Sequence, residues 1–344
     1  MSITSTRLGE TDHGSPVTKY TLTNRHGSRV SLMDWGAAIL EVEVPDRKGK
    51  LENVNLVFDS LARYLGPHPG FGSTMGRFCN RIALARFELD GVTRQVTVNH
   101  GKHCLHGGKI NFSHLRWDSE IVGPEDRVRF TLVSPDGDEG FPGELTVTVE
   151  YTWNDDHELT FEFTATTSKP TVVNLTNHSY WNLGGAGSGT VLDHAALIHA
   201  DQVLAVDAEL IPSGKFQDVE NTPFDFRKPE TFAKRIAALS ASKGYDHCYV
   251  IDGEPGTLRP TARVVDPETG RVMEVETTQP GVQLYTGNHL KGNEQSNGHG
   301  SHDAFCLETQ HYPDSPNHAN FPSTLLRPGD TLREKTVHRF SMGS

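Results

Sequence analysis

The sequence predicts an all-β protein built mainly from antiparallel sheet. Apolar and polar residues alternate with a period of two in segments along most of the chain, which is the pattern of half-buried strands. Helical spacing is brief by comparison, and nothing in the pattern supplies the long crossover helices that a parallel sheet requires. We therefore expect strands joined by hairpins, each with one buried and one wet face.

The clearest strand pair lies near the middle of the chain. Every second residue is apolar in the segment 145–153, and the same alternation returns in 159–165. The polar residues 154–158 between the two segments predict a hairpin loop. Further hairpins are predicted at residues 90–91 and 266–270, where turn-forming residues separate alternating segments.

Two short helices and a single large domain complete the predicted architecture. Residues 59–65 and 230–239 carry helical spacing. No Gly/Ser linker, Pro-rich stretch or fixed-period repeat divides the 344 residues. We therefore predict one antiparallel sandwich over 1–344, whose residues 1–12 are expected to fray.

Charge and composition disfavour several classes of partner. Lys and Arg number 32 against 44 Asp and Glu, a formal net charge of −12, with no block of like charge. This balance disfavours nucleic acid and anionic membranes. The first residues lack a secretory pattern, no apolar run approaches the ~18 residues of a membrane span, and four scattered cysteines form no CxxC pair. We predict a cytoplasmic protein, monomer or homodimer, with no nucleic acid or membrane partner.

Motifs for nucleotide and hydrolytic chemistry are missing from the sequence. It contains no GxSxG elbow, HExxH helix, Walker loop or Rossmann fingerprint. A nucleotide-dependent enzyme is therefore disfavoured, and we predict no cofactor.

Three histidines lie close together in NHGKHCLHGG. His100, His103 and His106 are spaced three residues apart with Cys104 between them, a pattern that invites a metal-site interpretation. That spacing aligns ligands on a helix, whereas the glycines around these histidines predict a loop. We predict no metal, and a metal site at the three histidines is the alternative.

Residues 174–185, NLTNHSYWNLGG, place hydrogen-bonding side chains beside aromatic ones. A pyranose presents apolar C–H faces and a rim of hydroxyls, so this combination suits a sugar. A capped turn beside a core aromatic pair is the structural alternative.

Glu308 lies among apolar neighbours in the strand-like segment 304–309. Desolvation there would raise its pKa toward the range useful for a general base, while a structural Glu bonded to a backbone amide is the alternative. Weaker polar signals come from three further segments: 76–82 with Asn80 and Arg81, 244–250 with Asp246 and His247, and 277–289 with Gln279, Gln283 and Asn288.

Taken in chain order, these motifs resemble those of the aldose 1-epimerase (galactose mutarotase) family. They are GRFCNRI, CLHGG, NLTNHSYWNLGG, GYDHCYV, TTQPGVQLYTGNH and CLETQ. The resemblance implies a galactose-mutarotase-like β-supersandwich with few short helices and a sugar cleft on one sheet face. It also implies interconversion of the α and β anomers of free aldohexoses such as glucose and galactose.

The resemblance further implies roles for individual residues. Glu308 of CLETQ would be the general base and His178 of NHSYWNL the general acid. Substrate binding would fall on Asn80, Arg81, His106, Ser179, Tyr180, Asp246 and Gln279. The small-molecule substrate would be a sugar, and the family's chemistry requires neither metal nor cofactor.

Three other functions remain open at this point. A sugar-phosphate mutarotase on the same fold would need a local basic cluster, which the motifs do not suggest. A non-catalytic carbohydrate-binding protein would not need both Glu308 and His178. A metal-dependent sugar isomerase would use the three clustered histidines.

Overall fold

Strands dominate the computed structural model, which describes residues 2–123 and 127–343. In the first half of the chain they are β1 (Ser2–Glu10), β2 (Pro16–Thr23), β3 (Arg29–Met33), β4 (Ala38–Pro45), β5 (Leu51–Asn53), β6 (Thr74–Met75), β7 (Arg81–Ile82), β8 (Arg86–Leu89), β9 (Val92–Gln95), β10 (Cys104–Leu105), β11 (Asp118–Val122), β12 (Arg127–Ser134), β13 (Leu145–Trp153) and β14 (Glu158–Thr167).

The second half of the chain continues this pattern. Its strands are β15 (Thr171–Val172), β16 (Thr176–Asn177), β17 (Ala195–Ile198), β18 (Gln202–Val206), β19 (Pro212–Asp218), β20 (Glu230–Thr231), β21 (Asp246–Val250), β22 (Arg259–Val265), β23 (Arg271–Thr277), β24 (Gly281–Tyr285), β25 (Cys306–Gln310), β26 (Leu325–Leu326) and β27 (Leu332–Met342). The helices are α1 (Leu61–Leu65) and α2 (Ala233–Ile236), with 3₁₀ turns at Ala83–Ala85, Phe112–His114, Asp138–Gly140, Ala237–Leu239, Glu294–Ser296 and Ser315–Asn317.

Three large antiparallel sheets form the framework. One has nine strands in the order β11-β12-β13-β14-β27-β23-β22-β17-β20, one has β1 to β5 in sequence order, and one has the order β19-β18-β21-β24-β25. Apolar side chains from all three sheets meet in one core cluster, whose members range from Tyr20 to Phe340. The predicted all-β class is therefore confirmed.

The central hairpin shows why the period-two pattern predicts this fold. In β13, alternate side chains from Leu145 to Trp153 are fully buried, and the polar residues between them are half-buried. β14 pairs with β13 in unbroken register, from Leu145 opposite Thr167 to Trp153 opposite Leu159. One face of each strand thus packs into the core, while the other meets solvent.

The N-terminal segment, whose fraying the sequence predicts, is a strand in the structure. Residues 2–10 form β1, which pairs with β2 from Ser2 opposite Thr23 to Glu10 opposite Pro16. Most side chains of β1 are exposed. Its backbone hydrogen bonds to β2, rather than burial of apolar side chains, hold it in place.

The two predicted helices are present but short. α1 lies inside the segment 59–65, and α2 with the 3₁₀ turn that follows it lies inside 230–239. Neither connects parallel strands, in keeping with the antiparallel sheets. No helix in the described part of the chain has the length and apolarity needed to cross a bilayer.

The sheet that contains β24 and β25 turns polar side chains away from the core. Val282, Leu284 and Leu307 belong to the core cluster. Gln283 and Glu308 lie directly opposite each other in the register of these strands. Because successive side chains on a strand point to opposite faces, Gln283 and Glu308 lie on the face away from that core.

Candidate active site

A cavity of about 820 Å³ lies over this polar face, within the range of roughly 300–1,000 Å³ typical of small-ligand sites. Seven of the nine predicted site residues line it: Asn80, Arg81, His106, His178, Tyr180, Asp246 and Glu308. They belong to strands β7, β10, β16, β21 and β25 or lie within three residues of one of them. The fold thus brings together residues that are far apart in the chain.

His178 and Glu308 lie beside each other in the cavity. Nε2 of His178 lies 3.6 Å from Oε2 of Glu308, and the two side chains are only 7% and 3% exposed. Neither Glu308 Oε2 nor His178 Nδ1 has a hydrogen-bond partner among the described residues. The His178 ring stacks on Tyr180, with centroids 4.9 Å apart and planes 8° from parallel. Buried polar atoms without partners in a cavity indicate a place where a polar ligand binds.

Burial shifts both groups of this pair toward their neutral forms. It raises the pKa of Glu308 well above the ordinary value, and the negative charge of Asp246 adds to the rise while Arg81 opposes it. Burial also lowers the pKa of His178 to about 4, against the attraction of Asp246. Both shifts favour the uncharged forms of the two groups, a protonated Glu308 beside a neutral His178.

Arg81 and Asp246 form a buried ion pair on the cavity wall. Nη2 of Arg81 donates to Oδ2 of Asp246 at 3.1 Å, and Nη1 donates to Oδ1 of Asn80 at 3.2 Å. The second oxygen of Asp246 accepts from Nε2 of Gln283 at 2.6 Å. Nε of Arg81 and Oε1 of Gln283 are buried without partners among the described residues. One donor and one acceptor of this group are thus unused, and Arg81 and Asp246 of the group line the cavity.

Asn80 and His106 are joined by two hydrogen bonds. The Asn80 N–H donates to Nδ1 of His106 at 3.1 Å, and the His106 N–H donates to the Asn80 carbonyl at 2.9 Å. Both residues have positive φ, 59° and 53°, a left-handed conformation that costs roughly 1–2 kcal/mol outside glycine. Strain of this kind persists where the surrounding structure holds it, often at functional sites.

This bonding also assigns the tautomer of His106. Because Nδ1 accepts the Asn80 N–H, the neutral ring carries its proton on Nε2. The ring lies edge-to-face against His178, with centroids 5.2 Å apart. Burial lowers the pKa of His106 well below the ordinary value, and the charges of His178 and Arg81 add to this. His106 is therefore a neutral hydrogen-bond donor and not an acid near neutral pH.

Two predicted sugar-binding residues do not line the cavity. The hydroxyl of Ser179 donates to Oδ1 of Asn177 at 2.6 Å. The amide of Gln279 donates to the carbonyls of Leu175 and Thr309 at 3.2 and 2.9 Å. Ser179 thus bonds a neighbouring side chain and Gln279 bonds the backbone of two other segments, and neither lies on the cavity wall.

Gln283 belongs to the same motif as the predicted sugar-binding residue Gln279 and adjoins the ion pair, although it is not among the residues that line the cavity. Its amide bonds Asp246, and its partner across the strands is Glu308. Sequence reasoning did not distinguish it from Gln279, because both belong to TTQPGVQLYTGNH. The available signal was the strand period, which turns Gln283 and Val282 to opposite faces.

The clustered histidines of the 100–106 segment do not form a metal site within residues 2–123 and 127–343. Nδ1 of His103 already accepts the Leu84 N–H at 3.0 Å. Only His106 of the three joins a group of donors with metal-compatible spacing. Its ring nitrogen, that of His178 and a carboxylate oxygen of Glu308 all lie within 4.8 Å of one another. The alternative of a metal site therefore concerns His106, His178 and Glu308 in the cavity and not the three histidines of the loop.

A mostly β fold and a cavity that pairs a buried carboxyl with a buried imidazole define an enzyme that moves protons on a small polar molecule. The sequence model of the aldose 1-epimerase family matches residues 18–339. The chain belongs to the aldose 1-epimerase family.

Relatives and solved structures agree with this assignment. Galactose mutarotase from Bos taurus is 42% identical over 345 residues, covering 99% of each chain. Aldose 1-epimerase from Escherichia coli strain K12 is 37% identical over 335 residues, covering 95% of this chain and 96% of the relative. The crystal structure of galactose 1-epimerase from Lactobacillus acidophilus, 26% identical, covers 100% of both chains with a TM-score of 0.90. The predictions of the family, of an isomerase and of a galactose-mutarotase-like fold are confirmed.

Proposed function

We propose that the protein interconverts the α and β anomers of free aldohexoses, glucose and galactose among them, with Glu308 as general base and His178 as general acid. The observation that carries this proposal is the 3.6 Å separation of Glu308 Oε2 and His178 Nε2 in the cavity. In a pyranose the anomeric hydroxyl oxygen and the ring oxygen are bonded to the same carbon. Two groups this close can therefore reach both oxygens at once.

Ring opening needs two proton transfers and no other chemistry. Glu308 as carboxylate removes the proton of the anomeric hydroxyl, and the C1–O1 bond becomes a carbonyl. The bond between C1 and the ring oxygen breaks, and that oxygen takes a proton from the His178 imidazolium. The products are the open-chain aldehyde, protonated Glu308 and neutral His178.

Ring closure reverses these transfers on the other face of the aldehyde. The aldehyde first rotates about the bond to its neighbouring carbon. The hydroxyl that was the ring oxygen then attacks C1 and returns its proton to His178, while Glu308 returns its proton to the carbonyl oxygen. The enzyme ends each cycle with the protons it began with, so the chemistry can run on these two groups alone.

The charge state of the pair couples to sugar binding. The reactive arrangement has the proton on His178, whereas burial favours it on Glu308 in the ligand-free protein. Hydrogen bonds from sugar hydroxyls to the Glu308 carboxylate favour the charged form. We infer that the sugar itself stabilises the reactive arrangement.

Residues in and beside the cavity would orient the sugar. Arg81 and Asp246, which line the cavity, are bonded to each other and would offer a donor and an acceptor to the ring hydroxyls, while Gln283 holds Asp246 in place. His106 would donate from Nε2 to a sugar oxygen, and Asn80 fixes both His106 and Arg81. Positioning of this kind supplies a large share of catalysis in many enzymes.

The charges of the cavity support a free sugar over a sugar phosphate. Arg81 and Lys243 are the cationic Lys and Arg side chains among its lining residues. Arg81 already pairs with Asp246 at 3.1 Å. A phosphate group prefers several charge-assisted donors, which this lining does not supply.

We also propose a cytoplasmic location. Cys79, Cys104, Cys248 and Cys306 are buried free thiols. Reduced cysteines of this kind suit a reducing compartment.

Polarimetry tests the proposed function directly. Freshly dissolved α-D-glucose or α-D-galactose should approach its equilibrium rotation faster with the enzyme than in buffer, in proportion to enzyme concentration. Glucose 6-phosphate serves as the comparison substrate and should react more slowly. A free-sugar rate equal to that of buffer would refute the proposal, and a preference for the phosphate would favour the alternative.

A further inference from the structure

Tyr180 lines the cavity, but most of its surface is covered by other side chains. Its ring is stacked on the imidazole of His178, with centroids 4.9 Å apart and planes 8° from parallel. Its hydroxyl donates to the Pro69 carbonyl at 3.2 Å, and its ring packs edge-to-face against Phe71 with centroids 4.8 Å apart. Tyr180 is only 3% exposed. Little of the ring is therefore left for direct contact with a sugar.

The local sequence brings the two stacked rings together. His178 and Tyr180 are two residues apart and follow strand β16, and side chains at this spacing point to the same side of an extended chain. Between them, Ser179 donates to Oδ1 of Asn177 from its N–H at 3.1 Å and from its hydroxyl at 2.6 Å. These bonds fix the chain between the two rings.

Two separate segments hold the backbones of the stacked residues. The His178 N–H donates to the Ser73 carbonyl at 2.9 Å, and the His178 carbonyl accepts from the Gly72 N–H at 3.0 Å. The Tyr180 N–H donates to Oδ1 of Asn55 at 3.1 Å. Because both backbones are tied to other parts of the fold, the stacked geometry is set by the protein itself.

Other titratable groups face this imidazole from separate elements. Glu308 of β25 lies 3.6 Å from its Nε2. Burial lowers its pKa, and the negative charge of Asp246 on β21 opposes that shift. The rings of His106 and of Tyr285 on β24 approach it edge-to-face, with centroids at 5.2 and 6.4 Å. Among the aromatic rings near the imidazole in the described part of the chain, Tyr180 is thus the one that lies parallel to it.

A parallel tyrosine face suits the charge that the reaction places on His178. In the proposed mechanism this ring is an imidazolium when it gives its proton to the ring oxygen of the sugar. An aromatic face within about 6 Å attracts a cation, and the attraction is larger where water is excluded. The His178 side chain is only 7% exposed. The face of Tyr180 therefore offers the imidazolium a stabilising contact in a place where water is largely excluded.

We propose that Tyr180 is a positioning residue for proton transfer, which keeps the His178 ring directed at Glu308 and stabilises the positive charge that this ring carries in the reaction. This inference rests on the proposed function. It gives Tyr180 a role different from the direct sugar contact that the family resemblance implies, because the phenol acts on the sugar through the imidazole. Loss of the ring should therefore lower kcat and leave KM nearly unchanged.

Two substitutions separate the face of the ring from its hydroxyl. Tyr180→Phe keeps the face and loses the hydrogen bond to Pro69, so kcat for galactose mutarotation should stay within about twofold of wild type. Tyr180→Leu removes the face and should lower kcat about fivefold to thirtyfold, while KM changes by less than about twofold. Steady-state polarimetry measures both constants.

Tyr64 provides the matched control for lost packing. It belongs to the same apolar cluster as Tyr180 and is 2% exposed. Its ring lies edge-to-face against Phe58 and His68, at 4.9 and 5.6 Å. Tyr64→Leu removes a similar buried ring that does not stack on His178, so kcat should stay within about twofold of wild type.

Fluorinated phenylalanines in place of Tyr180 test the charge of the face with little change of shape. Each added fluorine draws electron density from the face of the ring and weakens its attraction for a cation. From one fluorine to three, kcat should decrease stepwise relative to Tyr180→Phe, while Tm stays unchanged. The pKa of His178, followed by nitrogen NMR of the ligand-free protein, should decrease in the same order.

The outcomes separate the role of Tyr180 from the proposed function. A kcat that does not respond to fluorination, a rise in KM that accounts for the loss of activity, or equal losses in Tyr180→Leu and Tyr64→Leu would overturn the role of Tyr180. If Tyr180→Leu does not fold, the fluorinated series decides the question. If the wild-type protein catalyses no mutarotation, the proposed function fails, and the NMR series alone shows whether the Tyr180 face stabilises the charged ring: a stepwise decrease in the pKa of His178 supports this contact, and an unchanged pKa overturns it.

Discussion

Gln283 donates a 2.6 Å hydrogen bond to Asp246 on the neighbouring strand. The other oxygen of Asp246 accepts from Arg81 at 3.1 Å, and the side chains of that ion pair are only 10% and 9% exposed. A buried ion pair repays its lost hydration only with such additional hydrogen bonds. The three side chains therefore form a fixed unit before any sugar arrives.

Loss of Arg81 should weaken substrate binding. Arg81→Ala removes a charged donor from the sugar and leaves Asp246 without its buried partner, so KM for galactose should rise about tenfold to a hundredfold. Some loss of kcat should accompany it through misplacement of the ring. Steady-state mutarotation kinetics measure both, with Lys243→Ala as a control elsewhere on the cavity lining. KM and kcat near wild type would mean that the sugar binds elsewhere.

Replacing either member of the catalytic pair should reduce turnover more than binding. Glu308→Gln keeps the shape of the side chain but removes the base, and His178→Asn removes the acid. Each should lower kcat by about 10²–10⁴-fold. Calorimetric titration with galactose should show that both variants still bind sugar. His106→Asn is the comparison, because a neutral donor should affect KM more than kcat, and the reverse result would exchange the roles of the two histidines.

The pH dependence of kcat/KM should show that the pKa values of His178 and Glu308 are in the reverse of their ordinary order. Catalysis needs one proton on the pair. In the free enzyme His178 takes up a second proton as the pH falls through its pKa of about 4, and Glu308 loses its proton at a pKa raised well above the ordinary value. The acid limb of kcat/KM should therefore come from His178 and the alkaline limb from Glu308, as macroscopic values of a coupled pair.

Spectroscopy distinguishes this assignment from the ordinary one, in which Glu308 gives the acid limb and His178 gives the alkaline limb. Nitrogen NMR of labelled histidine should show a neutral His178 ring in the ligand-free enzyme near neutral pH. An imidazolium there would contradict the inverted order and return the alkaline limb to His178.

Much of the fold could be predicted because burial leaves a period in the sequence. β13 alternates without a break from Leu145 to Trp153, and its buried face is the face that the pattern indicates. β1 gave no such signal, since most of its side chains are exposed and its stability comes from backbone bonds. A strand that is stabilised by its backbone hydrogen bonds alone shows little alternation of apolar and polar residues in its sequence.

The site could be predicted to the level of motifs but not to each side chain. Motifs located the segments that contain His178 and Glu308. They did not show that Ser179 turns to Asn177, or that Gln283 rather than Gln279 adjoins the ion pair. These differences depend on strand register and local turns, which residue type and motif order do not encode.

Activity should survive removal of metal ions. The proposed proton transfers use only Glu308 and His178, although these two and His106 have donor atoms within 4.8 Å of one another. Exhaustive EDTA treatment should leave the polarimetric rate within about twofold of the untreated enzyme, because no step requires a Lewis acid. Loss of activity and its return with Zn²⁺ or Mn²⁺ would favour the metal-dependent alternative.

His338 should make the protein sensitive to acid. Its ring is buried against Phe161 and Trp181, with centroids 5.3 Å from each, and neither ring nitrogen has a partner among the described residues. Burial lowers its pKa from 6.5 to about 3. The unfolded chain binds a proton at this position below its ordinary pKa, whereas the folded protein does not until the pH approaches 3. The contribution to stability is therefore present above pH 6.5 and is lost progressively as the pH falls from 6.5 toward 3.

His338→Phe measures this contribution. An aromatic ring of similar shape keeps the contacts and removes the titrating group, so the free energy of unfolding should fall less steeply on acidification. One proton accounts for a slope of at most about 1.4 kcal/mol per pH unit. Urea unfolding at a series of pH values between neutrality and the acid limit gives the slope for wild type, for His338→Phe and for the exposed control His199→Phe. Because other buried histidines remain in the variant, the slope should decrease without vanishing, and equal slopes in wild type and His338→Phe would show that His338 does not titrate as its burial requires.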